Sequence, residues 1–268
     1  MTTNTPPDTP LIEHNRQAWN QQAARDCEWS RPVSPEAIAA ARRGELLPRL
    51  TPSPMPPHWL GNVQGAHILC LAAGGGQQAP LLAAAGAVVT VFDLSDTQLE
   101  LDRQVAAREQ LTLRCQQGDM SDLSVFGDDI FDLVFHPISN LYVPDVEPVW
   151  RECARVLKPG GRLLASFYNP ALFVDDRDKT LAQQGLLRPA YRLPYADTRQ
   201  LDPARLQEKK SRGEALVFGH SLTALIGGQL AAGLRLLDML EDWQPSPSLL
   251  LEAYLPGFIA TCAEKPND

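Results

Sequence analysis

Residues 68–96, ILCLAAGGGQQAPLLAAAGAVVTVFDLSD, set three consecutive glycines between two apolar runs and end the next apolar run on an acid, Asp93. Glycine tolerates positive φ and carries no Cβ, so a ligand can approach the backbone closely. A helix opening after such a turn offers free N–H groups, and a carboxylate beside it can accept from two hydroxyls of a ribose. Further on, Asp119 and Met120 stand in GDMSDL, and His136, Pro137, Ser139, Asn140 and Tyr142 leave the run FDLVFH. Polar groups there are placed to orient a reacting molecule, with His220, ahead of Ser221, as a base or a helix-end donor. The five cysteines are scattered without CxxC spacing, so no metal site and no disulfide framework is expected. Cys115 and Cys153 fall in strand and helix core patterns and read as packing residues.

Alternating elements must position these groups. HILCLA (67–72), AVVTVF (87–92), TLRCQQ (112–117), FDLVFH (131–136) and RLLASFY (162–168) read as strands separated by helices, which argues a parallel sheet covered on both faces. Ser95 and Gln98 have the spacing of a capping box. Val146, Val149, Trp150, Cys153, Ala154 and Leu157 share one helical face, which Lys158, Pro159, Gly160 and Gly161 then end. Ser221 can N-cap a helix with Leu222, Leu225, Ile226 and Leu230 on its apolar face, closed by Gly233, and two strands follow near LRLLDMLED and GFIATCAE. At the other end, residues 1–10 read as disordered and 11–24 as a short helix whose Trp19 and Asn20 are placed to close over a ligand, or whose Trp19 is instead a buried anchor of that helix. Prolines at 52, 54, 56 and 57 mark a connection. The expected organisation is an N-terminal extension with a capping helix (1–60) and a main domain (61–268) carrying a cap or lid at 169–217.

Gly74, Gly76 and Ala79 satisfy G-x-G-x-x-A with Asp93 downstream, which would suit a dinucleotide and an NAD(P)-dependent oxidoreductase. S-adenosylmethionine can use the same two places, and a binding module without turnover is a third reading. No Tyr-x-x-x-Lys pair follows the fourth strand. With GDMSDL, FDLVF and VWRECARVLKPGGRLLASF added, the sequence resembles the class I S-adenosylmethionine-dependent methyltransferases over about 66–167, and more loosely over 221–264. The resemblance implies an α/β fold with a seven-stranded, mostly parallel, doubly wound sheet whose last strand is antiparallel. It implies S-adenosylmethionine as cofactor, with Ala72, Ala73, Gly74 and Gly76 at its methionine part, Asp93 and Leu94 at the ribose, Asp119 and Met120 at the adenine, and His136 nearby. Many members carry an acid and a glycine where this chain has Cys70 and Ala72, although an alanine can still offer its carbonyl to the cofactor's amino group. Asn140, Tyr142 and His220 are the substrate-binding candidates, and no catalytic residue is singled out.

The balance of 24 basic against 32 acidic residues, −8 net, disfavours nucleic acid. No apolar stretch is long enough to span a bilayer, so no membrane partner is expected and a cytoplasmic setting is the simplest. The expected acceptor is a small molecule. Arg177, Lys179, Arg188, Arg192 and Arg199 in the insertion are the counterweight, because they could meet phosphates or a carboxylate substrate. Nothing in the sequence bears on oligomeric state.

Overall fold

The computed structural model describes residues 9–25, 27–45 and 48–267. A seven-stranded sheet carries the fold. Its strands are β1 (His67–Leu71), β2 (Val88–Asp93), β3 (Leu113–Gln117), β4 (Phe131–His136), β5 (Leu157–Tyr168), β6 (Arg235–Asp242) and β7 (Phe258–Glu264). They lie in the order β3-β2-β1-β4-β5-β7-β6. The first five are parallel, and β7 runs antiparallel between β5 and β6. Strand order reverses between β1 and β4, which opens a crevice beyond their carboxyl ends.

β1 is buried continuously from Ile68 to Leu71, as a strand covered on both faces must be. Leu69, Leu71 and Val134 pack on one side with Val149, Trp150 and Cys153 of a helix, α5 (Glu147–Val156). Ile68, Cys70, Val91 and Phe135 pack on the other with Trp59, with Leu82 of α3 (Gln78–Ala84) and with Leu99 of α4 (Asp96–Glu109). Each large apolar side chain so buried stabilises the fold by about 1.5–3 kcal/mol. Gly160, within β5, takes φ +74, and its N–H donates to the Lys265 carbonyl at 2.8 Å. That strand begins at Leu157 rather than Arg162, because Leu157 already pairs with Phe131, and residues 158–161 bulge out of β5 before Arg162 meets Leu133.

Two further expectations shift. The N-terminal helix α1 runs Thr9–Ala24, two residues ahead of the expected start and into the stretch 1–10 expected to be disordered, of which residues 1–8 lie outside the described residues; α2 (Pro35–Arg42) follows. Ser221 does cap its helix, accepting from the Ala224 N–H at 3.2 Å. The turn that follows, Thr223–Gly227, is π-wound, which rotates the helix away from a regular 3.6-residue face. Leu225 and Gln229 go inward, and Leu222 and Leu230, expected on the apolar face, are exposed.

Residues 169–217 fold as short helices, among them Pro203–Ser211, and a two-residue ladder pairing Tyr195–Ala196 with Phe218–Gly219. Phe173 and Tyr195 pack there against Leu141. At the centre the buried Asp197 carboxylate accepts from Tyr195 Oη at 2.7 Å, Lys209 Nζ at 2.6 Å and the Val217 N–H at 2.7 Å.

Candidate active site

The β1 strand ends in a turn that is tied down atom by atom. Ala72 sits at φ +48, a left-handed conformation costing an L-residue roughly 1–2 kcal/mol. Its N–H donates to the Phe92 carbonyl at 2.7 Å, and its own carbonyl accepts from Ser139 Oγ at 2.6 Å. The Gly74 N–H donates to Asp93 Oδ2 at 2.9 Å, and the Ser95 N–H to Asp93 Oδ1 at 2.8 Å. A Cβ on Gly74 would stand 2.9 Å from Gln98 Cβ and 3.1 Å from Asp93 Oδ2. Burial pushes the Asp93 carboxyl up from its ordinary value, opposed by these N–H donors. Each of its oxygens keeps a lone pair beyond the backbone bond, enough for two ribose hydroxyls.

Asp93 faces a cavity of about 870 Å³ at the β1–β4 crevice. Ala72, Ala73, Gly74, Leu94, Asp119 and Met120 share its wall. Asp119 Oδ1 accepts from the Ser121 N–H at 2.7 Å and from Ser121 Oγ at 2.6 Å, which fixes the turn after β3. The opposite wall is apolar and aromatic, with Ile12, Trp19, Leu50, Ile138, Tyr142 and Tyr168. Trp19 meets Tyr142 edge-on at 5.2 Å, and burial holds the Tyr142 phenol well above its usual range.

The helix α1 spans the cavity on polar anchors. Buried Asn15 donates to the carbonyls of Tyr142 and Leu216, both at 3.1 Å, and accepts from the Leu216 N–H at 2.8 Å. Asn20 accepts from Ser95 Oγ at 2.6 Å and donates to Asp96 at 2.9 Å.

Four expected site residues lie off this wall. Gly76 turns away, with Val105 and the Leu101 carbonyl of α4 where its Cβ would be, and its carbonyl accepts from the Val33 N–H at 2.9 Å. His136 is wholly buried; its Nδ1–H donates to the Leu71 carbonyl at 2.9 Å and its ring stands against Trp150. Burial lowers its pKa to about 4, so the ring is neutral. Asn140 donates from its side chain to the Ser166 carbonyl at 2.9 Å, while its main-chain carbonyl accepts from His220 Nε2 at 3.0 Å. Asn140 and His220 therefore brace the loop after β4 from behind. The insertion does the same: among the described residues, the wall takes none from 169–217, and residues 49–52 and 244–246 close the cavity instead.

Some wall residues escaped the sequence reading. Gln98 forms half of the expected capping box, its N–H donating to Ser95 Oγ at 3.1 Å. Its side chain donates instead to Ser30 Oγ at 2.7 Å, which leaves Oε1 buried without a partner at the cavity wall. The only signal at Gln98 is a polar residue one turn into a helix, and Asn15 gives no more.

A sheet of this strand order, with a glycine turn clamped by the acid of the next strand, is the architecture of the class I methyltransferases. Residues 69–165 match the model of a family described as a methyltransferase domain. Over 256 residues, covering 95% of this chain and 98% of the relative, the chain is 41% identical to the uncharacterized methyltransferase YbaJ of Bacillus subtilis (strain 168). The chain belongs to the class I S-adenosylmethionine-dependent methyltransferases, which sets the oxidoreductase alternative aside. It is also 34% identical over 126 residues to the demethylmenaquinone methyltransferase of Tropheryma whipplei (strain Twist), covering 44% of this chain and 51% of that protein. The fold is shared with an S-adenosylmethionine-dependent methyltransferase structure from Mesorhizobium loti, with TM-score 0.61, 21% identity and coverage of 77% of this chain and 94% of that one. Among the described residues no helix is long and apolar enough to cross a membrane.

Proposed function

We propose that the protein moves the methyl group of S-adenosylmethionine to a small, largely apolar acceptor enclosed between α1 and the loop after β4. The observation that carries this reading is the two-sided cavity. Its volume, about 870 Å³, is near the top of the range of roughly 300–1,000 Å³ for single-ligand sites and has room for a cofactor and an acceptor side by side. The residues at the strand ends fit the cofactor: Gly74 is a cradle that any Cβ would fill, Asp93 keeps acceptor capacity, and the orphaned Gln98 Oε1 is an open acceptor for a hydroxyl or amine. In this reading Asp93 holds the ribose, the Ala72 carbonyl faces the amino group, and Asp119 with Met120 borders the adenine.

Bound there, the cofactor supplies a sulfonium methyl group open to in-line attack. The chain's part is to hold the acceptor in line and exclude water, which can lower a barrier by about 7–11 kcal/mol without a base. None of the described cavity-wall residues is a histidine. Tyr142 stays protonated at neutral pH and acts by donating a hydrogen bond to an acceptor oxygen. The name of the Tropheryma whipplei relative supports an acceptor of low mass.

Incubating the protein with methyl-labelled S-adenosylmethionine and fractionated cell extract tests this. The label is expected in a low-mass, organic-extractable product. Label found only in RNA or protein would refute the reading.

A further inference from the structure

Beneath the glycine turn lies a carboxyl group that the methyl-transfer reading does not use. Asp102, on α4, is wholly buried, and its Oδ2 accepts at 2.9 Å from the Gly75 N–H, which also donates to the Gln98 carbonyl at 3.1 Å. The nearby Gly76 N–H also favours its charged form. Its Oδ1 is buried without a partner. The strand leading into the turn, β1, offers no carboxylate, since at this level it presents the buried Cys70 thiol. A buried carboxyl with an unpaired oxygen is costly, and a hydrophobic residue would pack α4 against β1 more cheaply. What the carboxyl gains in return is the turn itself: with Asp93 on one side and Asp102 below, Gly74 and Gly75 are each held by a carboxylate.

We propose that Asp102 is a positioning residue for the cofactor, which in its ionised form holds residues 74–76 in the conformation that S-adenosylmethionine requires. This rests on the placement of the cofactor at the glycine turn. An anionic acceptor binds an N–H more firmly than a neutral one, so ionisation and the bound-state turn reinforce each other. The cofactor's own cationic groups act in the same sense. Burial is the main force keeping the proton on, and it pushes the Asp102 carboxyl up to about 7. Among the groups facing it, the Asp93 carboxylate raises this value further and Arg103 of the same helix lowers it, while burial keeps the Cys70 and Cys115 thiols protonated. Cofactor binding then releases a proton, and affinity rises with pH through neutrality.

Calorimetric titration of the full chain with S-adenosylhomocysteine between pH 6 and 8.5 tests this on the parent, Asp102→Asn, Asp102→Ala and Asp93→Ala, with melting curves recorded for each. The parent is expected to tighten several-fold as pH rises. Asp102→Asn still accepts from the Gly75 N–H but cannot ionise, so it should show a flat profile at the parent's low-pH affinity. Asp102→Ala should bind about tenfold more weakly than Asp102→Asn throughout, as loss of the acceptor predicts. A packing role alone would lower the melting temperature and leave the pH slope in place. The proposal is overturned if Asp102→Asn keeps the parental slope, or if a folded Asp102→Ala binds like the parent. If Asp102→Ala fails to fold, the Asp102→Asn slope decides alone. Loss of binding in Asp93→Ala with both Asp102 variants unaffected overturns the role of Asp102 only, and unaffected binding in Asp93→Ala overturns the cofactor placement beneath it.

Discussion

At the end of the cavity where the cofactor is proposed to bind, the wall residues follow the carboxyl ends of parallel strands: Ala72 to Gly74 after β1, Asp93 closing β2 and Asp119 after β3. At the end where the acceptor is proposed to lie, the wall comes from α1, residues 49–52, the loop after β4, residues 244–246 and Tyr168 at the end of β5. The first end is set by backbone: ladder bonds fix β1 against β2 and β4, and a continuous apolar core backs them. The second is set by side chains, chiefly Asn15 and Asn20, that fasten a helix across an opening. A cofactor site of this kind tolerates little change, whereas an acceptor site hung on a few polar anchors can be reshaped without touching the sheet.

Four substitutions sharpen that contrast. The largest effect is expected from Gly74→Val, whose side chain would collide with Gln98 Cβ and Asp93. Cofactor affinity should fall at least about a hundredfold, some 2.7 kcal/mol, in calorimetric titration, and parental affinity would show that the turn is not the cradle. Asp93→Ala should weaken cofactor binding by about 1.5–3 kcal/mol, the range for hydrogen bonds to a charged group, in a protein that still folds. An unchanged dissociation constant would overturn the placement of the cofactor at the glycine turn.

Asp102→Asn probes stored strain at the same end. The carboxyl's folded pKa of about 7 lies above its ordinary 3.8. The native state therefore binds more protons between those values, and stability falls as pH rises through that window and levels off above it. Removing the ionisation should raise the unfolding free energy at pH 8 by about 4 kcal/mol, with little change at pH 4, measured by urea denaturation. Equal stability changes at both pH values would count against a raised pKa. At the acceptor end Trp19→Ala removes the edge-on partner of Tyr142 and should raise the acceptor's KM by roughly three- to tenfold, the energy of one aromatic pair, with cofactor affinity unchanged. A matching loss of cofactor affinity would mean the two ends are not separately built.

The same division explains what could be read in advance. Strand positions, the place of Asp93 at the end of β2 and the α5 face follow from local patterns, because a parallel strand buried on both faces and an amphipathic helix each write their burial into adjacent residues. Pairings distant in sequence leave no such mark. Gln98 meets Ser30 and Asn15 meets Leu216, each an ordinary polar residue until the fold joins them. Leu222 and Leu230 mislead because a π-wound turn breaks the 3.6-residue period on which their assignment rests. Length and composition set residues 169–217 apart as an insertion, but which wall an insertion covers is decided by where Phe173 and Tyr195 find apolar partners. Those partners include Leu141, behind the cavity wall.

The smallest expected effect concerns the basic residues of that insertion, the one feature of the sequence that points toward a polyanionic acceptor. Arg188 pairs with Asp176 and Asp178, Arg212 pairs with Glu208 and Glu214, and both guanidiniums are exposed. Surface pairs of this kind add little to stability, and salt screens them. A cation already matched to a carboxylate is also a poor phosphate anchor, since binding the phosphate would leave that carboxylate unpaired. Changing Arg188 and Arg212 together to Gln should therefore leave the melting temperature, cofactor affinity and turnover of a small acceptor as they were. The acceptor KM should also keep its weak dependence on salt. A large fall in turnover on this double substitution, with a steep salt slope in the parent that the variant loses, would place a polyanion at the insertion and break the picture of an acceptor end closed by α1 over an apolar wall.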